Sequence, residues 1–142
     1  MPPKRRLEAL RESLQARAAG WWRFAGDRLE QVAFVASGEV SQEIAVDFRD
    51  ATHTVSLAST DLAIIEAAMS GDVVISLASQ LPFETGSGYW LRRFGAERSV
   101  AVPLRNETGA VAAVISVALD DHPNGDAVAR AIRAAIAPHL YA

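Results

Sequence analysis

Cysteine is missing from all 142 residues. Its absence removes disulfides, thiol nucleophiles, thiolate-held zinc and thioether-linked cofactors in one step, and it fits a reducing, cytoplasmic setting. A membrane-length apolar run is missing too: the longest, Ala110 to Leu119, is half of what a spanning helix needs. No charged-then-apolar leader opens the chain, and Met1 favours a short independent protein. Charge of one sign is scarce as well. Fourteen Lys and Arg against 17 Asp and Glu leave a net charge of −3, which argues against broad electrostatic capture of nucleic acid. The one basic cluster, "MPPKRR" with Arg11 and Arg17, is diluted by Glu8 and Glu12 and reads as a solvated helix start. Neither nucleic acid nor a membrane is therefore expected as a partner.

What is present is a packed core. Half the residues are hydrophobic and 22% are charged, which in a chain of this length specifies one domain. Residues 5 to 19 read as a helix, with Leu7, Leu10, Leu14 and Ala18 at steps of three and four and Gly20 as its interruption. "WWRFAGDRLEQVAFVASG" reads as a hairpin turning at Gly26-Asp27. "SQEIAVDFRDA" holds a short helix and "HTVSL" a short strand or arm. A helix follows, with cap oxygens on Ser59, Thr60 and Asp61, a face of Leu62, Ile65, Ala68 and Met69, and a stop at Gly71. "DVVIS" reads as a short buried strand. A loop then leads to a helix over Tyr89 to Phe94, capped by Ser87 and ended by Gly95.

The stretch "RFGAERSVAVPLRNETGAVAAVISVALDD" holds two strands joined at Gly109. Val100, Val102 and Leu104 alternate, as do Ala113, Ile115, Val117 and Leu119, while Ala112, Val114, Ser116 and Ala118 give the second strand a small-residue face on which a helix can lie. Both faces are thus covered and the pair belongs in the middle of its sheet. Pro103 has no amide proton, so its nitrogen must meet an unpaired side or a bulge. A turn through His122 and a cap at Asp126 lead to a last helix with Val128, Ile132, Ala135 and Ile136 on one side, ended by Pro138. The order of elements is that of an α+β sandwich.

That order resembles a GAF domain over about residues 8 to 137. The residues that carry the resemblance are Gly95, Val102-Pro103-Leu104, Gly109 and Ala110 to Leu119, supported by "WRFAGDRLEQVAF" and "DLAIIEAAMSGDVVIS". PAS and roadblock domains have related layouts. The resemblance implies an α+β, GAF-like (PAS-related) fold: a central antiparallel sheet, N- and C-terminal helices packed on one face, and short helices and loops walling a cavity on the other. It places a flexible N-terminus at 1–6, a helix at 7–19 and the GAF-like body at 20–142. It also implies a small-molecule sensory role and dimerisation through the terminal helices. The asparagine, lysine, phenylalanine, aspartate and glutamate signature of the cyclic-nucleotide subgroup has no counterpart in this chain. Bilin attachment and methionine-sulfoxide reduction need cysteines that this chain lacks.

Candidate site residues follow from chemistry and from that layout. Phe48, Phe83, Tyr89 and Trp90 offer aromatic faces to a flat or apolar ligand, although Trp90 and Phe94, four apart, also fit the core side of a helix. Arg92 and Arg93 offer guanidinium forks to an anion. His53 offers an imidazole from the irregular arm, or a plain loop hydrogen bond. "TGSGYW" fails the nucleophile-elbow, dinucleotide and Walker patterns and reads as a loop and helix cap. Asp120, Asp121 and Asp126 sit where a helix start favours acids. No nucleophile, base and orienting group come together, so no catalytic residue is assigned, nor a metal site, nor any cofactor. Leu7, Leu10, Leu14, Ile132 and Ile136 are the expected interface of a homodimer. The expected function is non-enzymatic: a sensory domain that binds a small molecule and signals to a partner protein. The alternative is a ligand-free contact module whose pocket is filled by its own aromatics.

Overall fold

In the computed structural model, which describes residues 2–120 and 124–139, the chain runs α1 (Pro3–Leu14), β1 (Ala18–Ala25), β2 (Arg28–Ala36), α2 (Gln42–Ala51) and β3 (Thr54–Ser56). It continues through α3 (Ala63–Ser70), β4 (Val74–Leu77), α4 (Gly86–Phe94), β5 (Arg98–Arg105), β6 (Val111–Leu119) and α5 (Gly125–Ile136). The strands form one six-stranded sheet in the order β3-β2-β1-β6-β5-β4, and every neighbouring pair is antiparallel. The architecture is the α+β, GAF-like one read from the sequence.

The β5–β6 hairpin lies inside the sheet, between β1 and β4. Its alternation divides the core. Val100, Val102, Leu104, Ala113, Ile115, Val117 and Leu119 face α1 and α5 and pack against Leu7, Leu10, Val128, Ile132 and Ile136. Ala101 and Val114 face the other way, onto α3, and Ala118 faces the α2–α4 layer. Strand β4 pairs with β5 only over Arg98–Ala101, so the β4 side is already open where Pro103 lacks its donor.

Several local expectations are corrected. Helix α1 begins at Pro3, inside the segment assigned to a flexible N-terminus, and ends at Leu14 rather than 19. Gln15 turns left-handed at φ 54°, and Ala18 to Gly20 join β1 instead. Gly20 does not break a helix; it makes room. A Cβ built there would lie 2.2 Å from the Trp22 indole, because residues two apart in a strand share a face and the ring lies across the glycine. Helix α3 is capped neither by Ser59 nor by Thr60 or Asp61: Leu62 is its N-cap residue, and the first amide, Ala63 N, donates to Ser87 Oγ at 2.8 Å. Met69 points outward and is 62% exposed, while Ile64 takes the inward place. "DVVIS" is an edge strand, with Ile75 47% exposed. Asn124, not Asp126, caps α5, its Oδ1 accepting from Asp126 N at 2.9 Å. The turn through Asp121 and His122 lies outside the described residues.

Candidate functional site

On the sheet face away from α1 and α5, α3 packs with aliphatic Ile64 and Ile65, whereas α2 and α4 add an aromatic cover. Phe48 of α2 is its hub. Its ring meets Trp90 at 5.0 Å and Phe94 at 5.1 Å, both edge-on, lies 5.0 Å from Phe34, and meets Trp22 edge-on at 6.1 Å. Edge-to-face contacts suit ring quadrupoles, but flat rings meeting at steep angles leave gaps that branched aliphatic chains fill. Two gaps result. A cavity of about 50 Å³ lies between Phe48, Trp90 and Phe94 above and Ser99, Ser116 and Ala118 of the sheet below. A second, of about 30 Å³, lies beside it over Gly20 and Trp22.

The cavity floor is polar. Ser99 is 6% exposed and its Oγ has no hydrogen-bond partner among the protein groups, so its partner must come from within the cavity. Thr52, 1% exposed, is satisfied: its Oγ donates to Phe48 O at 2.8 Å and accepts from Gln31 Nε2 at 3.1 Å. The Thr52 carbonyl accepts from Trp22 Nε1 at 2.8 Å, which pins the indole beneath α2.

The wall between α3 and α4 is made by "TGSG". Ser87 N donates to Asp61 O at 3.0 Å while Ser87 Oγ accepts from Ala63 N. Ser87 thus latches the two helix starts together, and the cap of α4 itself is Thr85. Gly86, at φ +63°, sits so close to this junction that a Cβ would lie 2.2 Å from Asp61 O. These glycines serve helix contact rather than phosphate binding. On the far side of the latch is an open hollow of about 230 Å³ lined by Asp61, Glu66, Ser76, Pro82, Thr85 and Ser87.

The structure brings together some expected site residues and scatters others. Phe48 and Trp90 line the inner cavity. Tyr89 packs edge-on against Trp90 at 5.0 Å, at the rim. Arg93 leans over both rings, donating to Tyr89 Oη at 3.2 Å and to Asp47 Oδ2 at 3.0 Å. The Asp47 hydrogen bond raises the Arg93 pKa further, so this guanidinium is charged and already paired. Phe83 stands outside, 73% exposed, with Arg92 stacked 4.0 Å above its ring. Arg92 is occupied as well, donating to the carbonyls of Ala78, Leu81, Pro82 and Gly88. His53 is exposed and contributes through its backbone, its carbonyl accepting from Gln31 N at 2.8 Å. Leu7, Leu10, Ile132 and Ile136 are buried in the core and Leu14 is half-buried against it, so the stripe assigned to a dimer is taken up by the chain's own sheet.

Sequence reasoning missed Ser99, Thr52 and the inward role of Phe34. Ser99 was within reach: it has the opposite strand parity to Val100, Val102 and Leu104, which assigns it to the cavity face. Among the described residues no cluster of His, Asp and Glu is arranged to hold a metal, and no helix is long and apolar enough to cross a membrane.

No family model matches the chain, and no curated protein matches it. Solved structures do. A GAF domain/HD domain protein from Geobacter sulfurreducens superposes with a TM-score of 0.70 at 13% identity, over 95% of this chain and 84% of that one. The GAF domain of a two-component sensor histidine kinase from Bacillus halodurans gives 0.67 at 12%, over 99% and 91%. A type II free methionine-R-sulfoxide reductase from Thermoplasma acidophilum gives 0.60 at 14%, over 93% and 90%.

Proposed function

For a chain that has the GAF fold, we propose a non-enzymatic regulatory role in which a small molecule enters the aromatic-roofed cavity and is read out on the opposite face of the sheet. The observation that carries this reading is Ser99: a buried hydroxyl without a partner, at the floor of a cavity. Folding gains nothing from leaving a polar group desolvated and unpaired, whereas a ligand would complete it. The reductase neighbour shares the fold, but this chain holds no cysteine, and thiol chemistry is closed to it.

As it stands the cavity of about 50 Å³ is far below the roughly 300 Å³ at which small-molecule pockets begin. Binding therefore requires the cover of α2, α3 and α4 to open, and ligand would order the segment from Ile44 to Phe94 around itself. Strand β6 connects the two faces, with Ser116 and Ala118 toward the cavity and Ile115 and Val117 toward the terminal helices. Because the inner sides of α1 and α5 are used in the core, a dimer would meet through their outward sides, where Ala9 and Ala134 are exposed. Ala9→Arg and Ala134→Arg should then lower the sedimentation coefficient without changing the unfolding midpoint.

Native mass spectrometry of protein purified from its own host tests the ligand directly. A small-molecule adduct is expected, and Ser99→Leu, which fills the cavity, should remove it. A bare mass for the unmodified chain rejects the reading. The same small volume also supports a second one, a contact module that binds no ligand because Phe48, Trp90 and Phe94 occupy the space.

A further inference from the structure

The inner cavity and the outer hollow share Leu62, Ala63 and Ser87. They are also joined along the floor: Ser76, which lines the outer hollow, lies directly opposite Ser99 across β4 and β5. Between them lie Leu62 and Ala63 at the start of α3 and Ser87, whose latch of two hydrogen bonds, 2.8 and 3.0 Å, ties α4 to that start. With the latch open, their volumes together approach the lower bound of small-molecule pockets.

The two ends differ in chemistry. The inner end is walled by three aromatic rings and floored by hydroxyls, with no formal charge among its lining residues. The outer end carries two carboxylates, Asp61 and Glu66, and no Lys or Arg among its lining residues. Arg92 borders the hollow through the carbonyls of Leu81, Pro82 and Gly88; its donors go to these and to Ala78, and its face to Phe83, but it keeps its charge. Two carboxylates against one guanidinium leave the mouth net negative, so an anion would be repelled there and a cation attracted. The buried Ser99 hydroxyl, unpaired at the inner end, supplies a polar contact for the far end of a ligand.

We propose that the two hollows are one site divided by Ser87, and that its ligand is a small organic amine: an apolar or aromatic body inside, and an ammonium group at Asp61 and Glu66. This rests on the small-molecule reading above and specifies the class. It also reverses the charge expected from Arg92 and Arg93, because both guanidiniums are already engaged.

Three probes with the same body separate the terms: phenethylamine, 3-phenylpropionate and the neutral phenylacetamide. Amide chemical shifts of Ala63, Ser76, Ser87 and Ser99 report both ends of the site at once. Phenethylamine is expected to shift all four and to bind more tightly than the amide, with the carboxylate weakest. Glu66→Gln and Asp61→Asn, both at exposed positions, should each weaken phenethylamine by roughly two- to fivefold and leave the amide unchanged. Equal or tighter binding of the carboxylate overturns the amine assignment while leaving a small-molecule pocket standing. Shifts confined to Asp61 and Glu66 overturn the single-site proposal. If none of the probes moves these amides at millimolar concentration the proposal fails, and a co-purified adduct in the native mass spectrum would still uphold the pocket.

Discussion

The two faces of the sheet are built from the same strands and solve different problems. Toward α1 and α5, the strands present valine, leucine and isoleucine, and the helices answer with Leu7, Leu10, Val128, Ile132 and Ile136, of which Leu10, the most exposed, is only 4% exposed. Branched aliphatic chains interdigitate to crystal-like density, and each contributes about 1.5–3 kcal/mol by leaving water. Toward α3 the other face is also closed, by Trp22, Leu29 and Val114 against Ile64 and Ile65; beside it, toward α2 and α4, the strands present Ser99, Ser116 and Ala118, and the cover is Phe48, Trp90 and Phe94. Small residues below and flat rings above enclose empty space and an unpaired hydroxyl. The first face is filled throughout, whereas the second keeps a cavity under its rings.

That contrast can be broken from either side. The largest effect is expected from Ile132→Ala, on the dense face: a fully buried isoleucine with no room for its neighbours to close in should cost about 3–4 kcal/mol, read as a lower urea midpoint. Gly20→Val should cost about 1–3 kcal/mol by overpacking, because its Cβ and the Trp22 ring cannot share one place. It should also alter tryptophan fluorescence in the folded state, which Ile132→Ala should not. Ser87→Ala removes the side-chain oxygen that caps α3 and should cost about 1 kcal/mol, with faster amide exchange at Ala63 as its local signature. Phe83→Ala should change stability by less than about 0.5 kcal/mol, since that ring is mostly in water; a larger loss would mean that the Arg92 stack matters to the loop it covers.

The salt bridges sharpen the comparison in a smaller way. Arg17 pairs with Asp120 at the end of β6, and this hydrogen bond raises its pKa further. Arg93 pairs with Asp47 between α4 and α2. Both pairs are partly exposed, and such pairs contribute little. They position α4 and the chain entering β1 rather than supply the stability of either face.

Legibility from sequence followed the same division. The β5–β6 hairpin, its central place and its two-faced alternation are local properties of "SVAVPL" and "AVAAVISVAL", and they appear in the structure as read. The α5 stripe of Val128, Ile132 and Ile136 is likewise periodic and likewise buried. The aromatic cover was harder. Phe48 and Trp90 were recognised by type, but Phe83 and Trp90 look equally suitable in sequence, and one is in water while the other walls a cavity. Nothing local distinguishes them, because the choice depends on where α4 crosses α2. The dimer stripe was misassigned for a related reason: an apolar helix face must be buried, and periodicity does not say against what.

The two hairpins, helix periodicity, the glycine turns and the exclusion of thiol chemistry were determined by the sequence alone, since each depends on residues within a few positions of one another or on a residue type that is absent. The latch between Ser87 and α3, the unpaired Ser99 hydroxyl, the paired state of Arg92 and Arg93, and the separation of an inner cavity from an acidic hollow were decided only by the tertiary structure. These depend on groups far apart in the chain, 46 positions for Arg93 and Asp47, whose meeting is set by how helices cross and not by any pattern along the chain.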